Sequence, residues 1–394
     1  MWYDKLSSDL IKFNYIANEY DICVFNRNES DNSQTSLVIH VENMIITASN
    51  EFRIDDVIKQ TETVYPGLTK HRGKVLNYIG MTFDFSKEGK IKMTMEGFVQ
   101  DLIEGCKDMP GTAYTPARAN LLSIPDESDS PLPDNLREHF RSITAKLLYL
   151  SKRTRPDILT AVAFLTKRVL RPQRDDYNKL IRTIQNIRGS QHTGIIFEVY
   201  EPIHVIAYID ASFTIHPDIK SHTGSVINLG KGAIYAKSGT QRLMTKSSTE
   251  AELVALSDAS NQVLWTRNFL ECQGHLQPPA LVYQDNTIQL IRNGRSNSER
   301  TRHIDVRYFF LHDRINTGDI EIAYLPTTDM IADILTKPLQ WELIKKLKKE
   351  LLNTTPPTLT YAEGSKTEDR TDPAPTLARA RYNRRFPYPI PKKN

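Results

Sequence analysis

The chain has little cysteine. Its three, Cys23, Cys106 and Cys272, are odd in number and far apart among 394 residues. That argues against a disulfide framework and against a zinc site built on Cys pairs, and it fits reduced thiols in a cytoplasmic or nuclear setting. No apolar run approaches the roughly 20 residues that span a bilayer, so no membrane partner is expected. The start, MWYDKLSSDLIKF, lacks a basic segment followed by an apolar one, so no secretory signal is expected. Charge of one sign is scarce too. Lys and Arg number 51 against 47 Asp and Glu, a net +4, which permits nucleic-acid binding without demonstrating it. There is no internal repeat. What is present is 39% hydrophobic residues, enough for real cores, and a length that leads us to expect two or three domains.

SLVIHVENMIIT (36–47) reads as a β-hairpin, two β-branched strands meeting at Glu42-Asn43. Residues 1–20, with Leu6, Leu10 and Phe13 at helix spacing, read as helical. VLNYIGMTFD reads as a strand paired with GKIKMTM across SKEG, and GFVQDLIEGC as an amphipathic helix. A Pro-, Ser- and Asp-rich stretch, 115–134, looks like a linker. Three helices follow, with Pro156 suited to the first turn of the second and Gly189 to the end of the third. The texture then changes. HVIAYIDASF, SVINLG and GAIYAK read as three strands. SSTEAELVALSDASNQVLWTRNFLEC reads as a long helix and ALVYQDN as a strand. A charged helix (299–315), the strand EIAYLP and a helix over 329–336 complete the unit. Three consecutive strands followed by alternating helices and strands indicate a mixed sheet with helices packed on it, an α+β and α/β fold class. WELIKKLKKELL reads as a basic amphipathic helix. The Pro-rich end, with Arg379, Arg381, Arg384, Arg385, Lys392 and Lys393, reads as a disordered basic tail. A nuclear localisation signal or a nucleic-acid arm fits that tail as well.

Asp210 and Asp285 both end apolar strands. Alone, each reads first as a turn or cap acid. At this point the motifs YIDASF, KSHTGSVINLG, TKSSTEAELVALSDA, YQDN, SERTRHIDVRYFF and YLPTTDMIADILTKPL occur in order. Residues 203–340 thereby resemble the ribonuclease H domain of copia-type retrotransposon polyproteins. WYDKL, DICVFNR, YIGMTFDF and KLLYLSKRTRPDI resemble the same polyprotein's reverse transcriptase. The resemblance implies a partial polymerase palm over 1–114, a linker and helical thumb/connection over 115–200, and a ribonuclease H-like five-stranded mixed sheet with flanking helices over 201–340. The basic helix (341–352) and the tail (353–394) follow.

The same resemblance implies four metal-holding catalytic acids, Asp210, Glu252, Asp285 and Asp333. Physics helps to choose between the two glutamates of the long helix. With Ser247 as N-cap, Glu250 falls at N3 and makes a capping box, while Glu252 points about 200° away. Asp333 has a rival in Asp329. The implied cofactor is a pair of Mg²⁺ ions about 3.5–4 Å apart, with Mn²⁺ as a substitute, activating a water against the scissile phosphate. The implied partner is an RNA–DNA hybrid, recognised through 2′-hydroxyls in a wide minor groove. An intact reverse-transcriptase copy is a further partner the resemblance allows. LPTTD lacks the histidine that many cellular ribonucleases H carry there.

Arg300, Arg302 and Arg307 read as phosphate contacts or, equally, as a solvated basic face. His303 and Asp305, two apart, do not face each other on a helix, which argues against a metal pair. Lys237, Arg242 and Lys246 lie near the third strand, where they track a DNA strand or simply form a charged face. The polymerase family's hairpin carries two adjacent aspartates at its turn. Here the matching residues are His40-Val41-Glu42-Asn43, so Glu42 and Asn43 read as a degenerate polymerase turn. The sequence also starts beyond the strand that would supply the other metal-binding aspartate. The expectation is therefore a hybrid-cutting ribonuclease H within a truncated polyprotein whose polymerase remnant makes no DNA. The alternative is a non-enzymatic nucleic-acid-binding module or an inert relic.

Overall fold

The computed structural model describes residues 2–124, 131–200, 202–285 and 302–354. Helix α1 (Trp2–Lys12) buries Leu6 and Leu10. It stops short of residue 20 because Asn14 takes a left-handed conformation, φ 64°, and the chain continues as β1 (Ile16–Ala17). β2 (Val24–Asn28), β3 (Gln34–His40) and β4 (Asn43–Thr47) complete an antiparallel sheet of order β1-β2-β3-β4. β3 and β4 form the expected hairpin, but His40 pairs with Asn43, so the tip is Val41-Glu42 rather than Glu42-Asn43. A two-residue loop demands a positive φ, and Val41 supplies it at 54°, a costly conformation for a β-branched residue. Helix α2 (Glu51–Val64) is capped by Asn50, whose Oδ1 accepts from Arg53 N at 3.1 Å. Its Val57 joins Leu6, Leu10, Phe25 and Leu37 in one core.

VLNYIGMTFD splits into two strands, β5 (Val75–Tyr78) and β6 (Met81–Asp84). Ile79 and Gly80, at φ 50° and 73°, turn the chain back on itself, the two-residue hairpin geometry. β7 (Ile91–Thr94) pairs with β6 across SKEG, and α3 (Glu96–Glu104) follows. Helices α4 (Asp134–Ser151), α5 (Leu159–Arg168) and α6 (Arg174–Arg188) lie where their periodicity places them. Pro156 opens a 3₁₀ turn ahead of α5. Phe140, Leu147, Leu165 and Ile184 pack with Val99 and Leu102 of α3. β8 (Ile195–Val199), unanticipated because GIIFEVY alternates poorly, extends the β5–β7 sheet.

The second half is built on β9 (Ile206–Ser212), β10 (His222–Asn228), β11 (Gly230–Lys231) and β12 (Ala233–Thr240), then α7 (Ser248–Cys272) and β13 (Ala280–Gln284). α8 (Arg302–Asn316), β14 (Ile320–Tyr324) and α9 (Trp341–Leu352) follow. The five-stranded sheet has order β12-β10-β9-β13-β14. Its first three strands are antiparallel, and β13 runs parallel to both β9 and β14. This is the mixed sheet the sequence led us to expect. One face packs Ala207, Ile209 and Val282 against Leu253 and Leu256 of α7 and Leu311 of α8. The other packs Val226 against Ile331, Leu335, Leu347 and Leu351. Short β11 leaves this sheet to pair with β8. Gly232, at φ 78°, permits the close approach, since a Cβ there would sit 2.4 Å from the Ile196 carbonyl. The expected helix over 329–336 is instead two 3₁₀ turns, Thr327–Asp329 and Ile331–Leu335. Met330 between them is extended (ψ 98°) and interrupts a continuous helix. The tail from 355 onward, linker residues 125–130 and the stretch 286–301 lie outside the described residues. No described helix is long and apolar enough to cross a membrane.

A buried ion cluster joins the helical layer to α9. Arg155 donates to both Asp157 carboxylate oxygens, at 2.8 and 2.9 Å, and to Ser190 O at 3.0 Å. Lys348 of α9 reaches Asp157 Oδ2 at 2.7 Å. Burial opposes the charge on Asp157, but the two cations outweigh it and hold the carboxyl well below the usual range. Asp157→Asn strands two buried cations and should destabilise the fold by about 3–5 kcal/mol, measured by denaturant unfolding at neutral pH. The folded-state pKa lies below the unfolded value of about 3.9, so this contribution is complete above roughly pH 4 and is lost as pH falls through the folded value. The variant should therefore show a flatter acid limb in its stability–pH curve than the wild type.

Candidate metal centre

Two neighbouring parallel strands end at one place. The register Tyr208↔Tyr283 sets Asp285, just beyond β13, level with Asp210 on β9. Across the sheet end, the first turns of α7 bring in a third acid. Ser247 is the N-cap, as expected, and its Oγ accepts from Glu250 N at 3.2 Å. The reciprocal half of the box differs, because Glu250 accepts from Lys246 N at 2.7 Å and not from the cap residue itself. That occupies Glu250 and leaves Glu252 facing the sheet. One oxygen each from Asp210, Glu252 and Asp285 lie within 4.8 Å of one another.

Asp333 approaches from the opposite face of the sheet on the Ile331–Leu335 turn. Thr336 Oγ1 lies 2.7 Å from Asp210 Oδ2 and 3.2 Å from the Asp333 carbonyl, tying the two segments together. Asp333 is 1% exposed, whereas Asp329 is exposed and paired with Lys346 at 2.7 Å. Burial thus separates the two rivals. Gly224, paired with Asp210 across β9 and β10, makes this docking possible. A Cβ there would meet Ala332 O at 2.7 Å and Leu335 Cβ at 2.9 Å.

The remaining partners hold the acidic residues in place. Glu252 Oε1 accepts from Ala211 N at 3.1 Å, and Gln284 Nε2 donates to the Glu252 carbonyl at 3.3 Å. Thr327 donates to Asp285 at 3.3 Å. Lys337 donates to Asp333 Oδ1 at 3.0 Å. Burial, and then the charge of Asp333, raise the pKa of Asp210. Burial, with Asp210 and Asp285 adding repulsion, pushes Glu252 up to about 9. Asp285 is raised by burial and by Asp210. Burial works against the Lys337 ammonium, yet Asp333, with Asp210 and Asp285 behind it, holds its pKa above the usual lysine value.

Among the described residues, four carboxylates thus face a single ammonium in a mostly water-free place. Such an arrangement either takes up protons or takes up cations. The donor set fits a metal. It is all oxygen, which suits Mg²⁺ or Mn²⁺ over Zn²⁺, and Asp333 Oδ2 is buried with no hydrogen-bond partner.

The other residues singled out from sequence lie apart from this cluster. Lys237 on β12, and Arg242 and Lys246 in the loop before α7, are exposed. Arg307 pairs with Asp258 of α7. Arg300 and the side chains of Arg302, His303 and Asp305 lie outside the described residues. Glu42 and Asn43 are exposed at the β3–β4 hairpin, where no group of three acids or histidines gathers among the described residues. Sequence reasoning missed Lys337, Thr336 and Gln284. Lys337 had a signal, its i,i+4 spacing from Asp333.

No protein-family model matches the chain. It is similar to the retrovirus-related Pol polyprotein from transposon TNT 1-94 of Nicotiana tabacum, 25% identical over 360 residues, covering 88% of this chain and 27% of the relative. The Pol polyprotein from transposon RE2 of Arabidopsis thaliana is 26% identical, with 86% and 23% covered. The Ty1-JR1 Gag-Pol polyprotein of Saccharomyces cerevisiae is 24% identical, with 89% and 21% covered. The chain therefore spans about a quarter of the length of the curated relatives it matches. A solved structure of LC11 ribonuclease H1 with an RNA/DNA hybrid aligns with 34% of this chain and 93% of its own, at 16% identity and a TM-score of 0.26.

Two outcomes follow from the geometry. Glu252→Gln removes a carboxyl that the folded chain must keep protonated at neutral pH while the unfolded chain ionises it, so in chelator it should melt about 2 °C or more above the wild type, while losing the stabilisation that Mg²⁺ gives the wild type in a thermal scan. Gly224→Ala should cost about 1–3 kcal/mol by overpacking and should weaken Mg²⁺ stabilisation by pushing the Asp333 turn away. By its motifs and by these matches, the chain is a relative of the retrovirus-related Pol polyproteins of plant and yeast transposons, a resemblance to the copia type that runs along most of its length.

Proposed function

We propose that this chain is a metal-dependent endonuclease that cuts the RNA strand of RNA–DNA hybrids. The observation that carries the reading is the meeting of Asp210, Glu252 and Asp285 within 4.8 Å at one end of the mixed sheet, with Asp333 tied to Asp210 through Thr336. The sheet order, three antiparallel strands followed by two parallel ones, is that of a ribonuclease H-like fold and supports it. The relation to Pol polyproteins supports it further.

Asp210, Glu252, Asp285 and Asp333 would hold two Mg²⁺ ions. When bound, Mg²⁺ supplies Lewis acidity toward a water and a phosphodiester. The chain's own residues do the rest. Ala211 N donates to the Glu252 carboxylate and Gln284 to the Glu252 backbone carbonyl, which together position this residue at the sheet end. Thr336 and Thr327 orient Asp210 and Asp285. Lys337 supplies a fixed positive charge beside the acids, on the side of Asp333, where it attracts an arriving phosphate. Burial of Asp210 and Asp333 keeps competing water from their inner oxygens.

The test is cleavage of a labelled RNA–DNA hybrid by the full chain with Mg²⁺, with chelator, and as Asp210→Asn. We expect cleavage that requires both the metal and Asp210, with a loss of at least about a hundredfold in the variant, the scale of removing a group that stabilises transition-state charge. Hybrid binding without cleavage by the folded wild type would favour the alternative, a nucleic-acid-binding module or inert relic. The β3–β4 tip presents the single acid Glu42 beside an amide, Asn43, so we expect no polymerase activity. Template-directed nucleotide incorporation by the purified chain would overturn that part.

A further inference from the structure

A hollow of about 220 Å³ opens between α4, α5 and β12, away from the four acids. Its floor is aliphatic, from both helices. Its polar lining is Lys152, just after α4, Thr166 and Lys167 of α5, and Ser238 and Thr240 of β12. Lys167 donates to Thr240 Oγ1. Neither lysine has an acid within ion-pair distance among the described residues, and the nearby Asp218 is taken by Lys220 at 2.9 Å. The surroundings desolvate both ammonium groups and lower their pKa values. Lys237 adds repulsion at Lys152; at Lys167 the pull of Asp218 offsets part of the burial, and Lys220 adds repulsion. Positive charge is thus concentrated in a concave place where, among the described residues, no acid makes an ion pair with either lysine.

Beneath the two hydroxyls lies a pair of buried histidines. His222 Nε2 is 2.8 Å from Ser238 Oγ, His216 Nε2 is 2.9 Å from Thr240 Oγ1, and the rings meet at 2.8 Å. Burial pushes His216 down to about 4 and His222 to about 3. They are neutral at physiological pH, where they orient the hydroxyls without adding charge. Four converging donors, two ammonium and two oriented hydroxyl groups, match the oxygens of a phosphodiester.

The sheet register relates this hollow to the acids. Asp210, Gly224 and Ser238 are paired in one row across β9, β10 and β12. Directly paired residues share a face, so Ser238 lies on the Asp210 face, two strand spacings or roughly 10 Å away. That distance is about three nucleotides along the axis of one strand. Thr240 lies two residues further toward the sheet end at which the acids meet, on the same face, in the row Ser212–His222–Thr240.

We propose that this hollow is a second nucleic-acid subsite, holding a backbone phosphate of the strand that runs on from the acid cluster. It rests on the hybrid-cutting reading for its ligand but needs no metal. The helical layer and the sheet would then grip one duplex together, the acids at one phosphate and the lysines a few nucleotides away.

The experiment is binding of a short labelled RNA–DNA hybrid by the full chain in chelator, across a salt series, for the wild type, Lys152→Gln/Lys167→Gln and Lys152→Arg/Lys167→Arg. We expect the Gln pair to weaken binding about five- to tenfold and to make the salt slope shallower by about 1, the effect of one lost phosphate contact. The Arg pair should keep both near wild type. Thermal unfolding checks that both variants remain folded. Wild-type affinity and slope in the Gln pair would overturn the proposal. So would a hollow at which inorganic phosphate alone raises the wild-type melting temperature while hybrid binding ignores both lysines, the behaviour of a free-anion site. Failure of the nuclease reading looks different, since hybrid would bind in chelator, depend on the lysines, and never be cut when Mg²⁺ is added.

Discussion

The constraint on which the rest of the second half depends is repulsion among carboxylates held out of water. Asp210, Glu252 and Asp333 are all under 5% exposed, and bringing them together is unfavourable whenever more than one is ionised. A fold left to optimise stability would not build this cluster. It survives because apolar packing on both faces of the sheet over-determines the positions of the acids. Hydrophobic burial of that kind supplies the opposing free energy, and local interactions supply direction. The carboxylates are therefore placed by the packing of the sheet and not by their own interactions.

The fourth acid shows how far that over-determination reaches. Asp333 sits on a short 3₁₀ turn, an element with little intrinsic stability. Its position is fixed from outside. Thr160 of α5 donates to the Ile334 carbonyl at 2.7 Å. Gly224 lets the turn lie against β10. α9 packs against the turn and is itself held by Lys348 on Asp157. None of these residues belongs to the acid cluster, yet each sets where one carboxylate sits.

Much of this was legible in the sequence. Long periodic segments such as α4, α6 and α7 came out where their spacing put them, and the mixed sheet followed from strand order. The two glutamates of α7 were separable because capping geometry and helical phase give opposite answers for Glu250 and Glu252. What was not legible had local causes. Positive φ at Ile79 is invisible in a β-branched residue, so one strand was read where there are two. The 3₁₀ turns around Met330 carry enough apolar residues to imitate a helix. β8 draws its stability from β7 and β11 and not from its own pattern. Lys337 and Gln284 were passed over because their significance lies in who stands opposite, which tertiary packing alone decides.

The bond from Thr160 to the Asp333 turn spans 174 positions of the chain, and the Lys348–Asp157 pair spans nearly the whole second half. The acid site is consequently not a portable cassette. A copy of such an element that kept the codons for all four acids but lost the helical segment to a deletion or a shifted reading frame would encode an acid cluster with one member adrift. Counting intact acids across degenerate copies would then overstate how many retain the assembled cluster, and the helix residues that hold the turn would carry the same inheritance signal as the acids themselves.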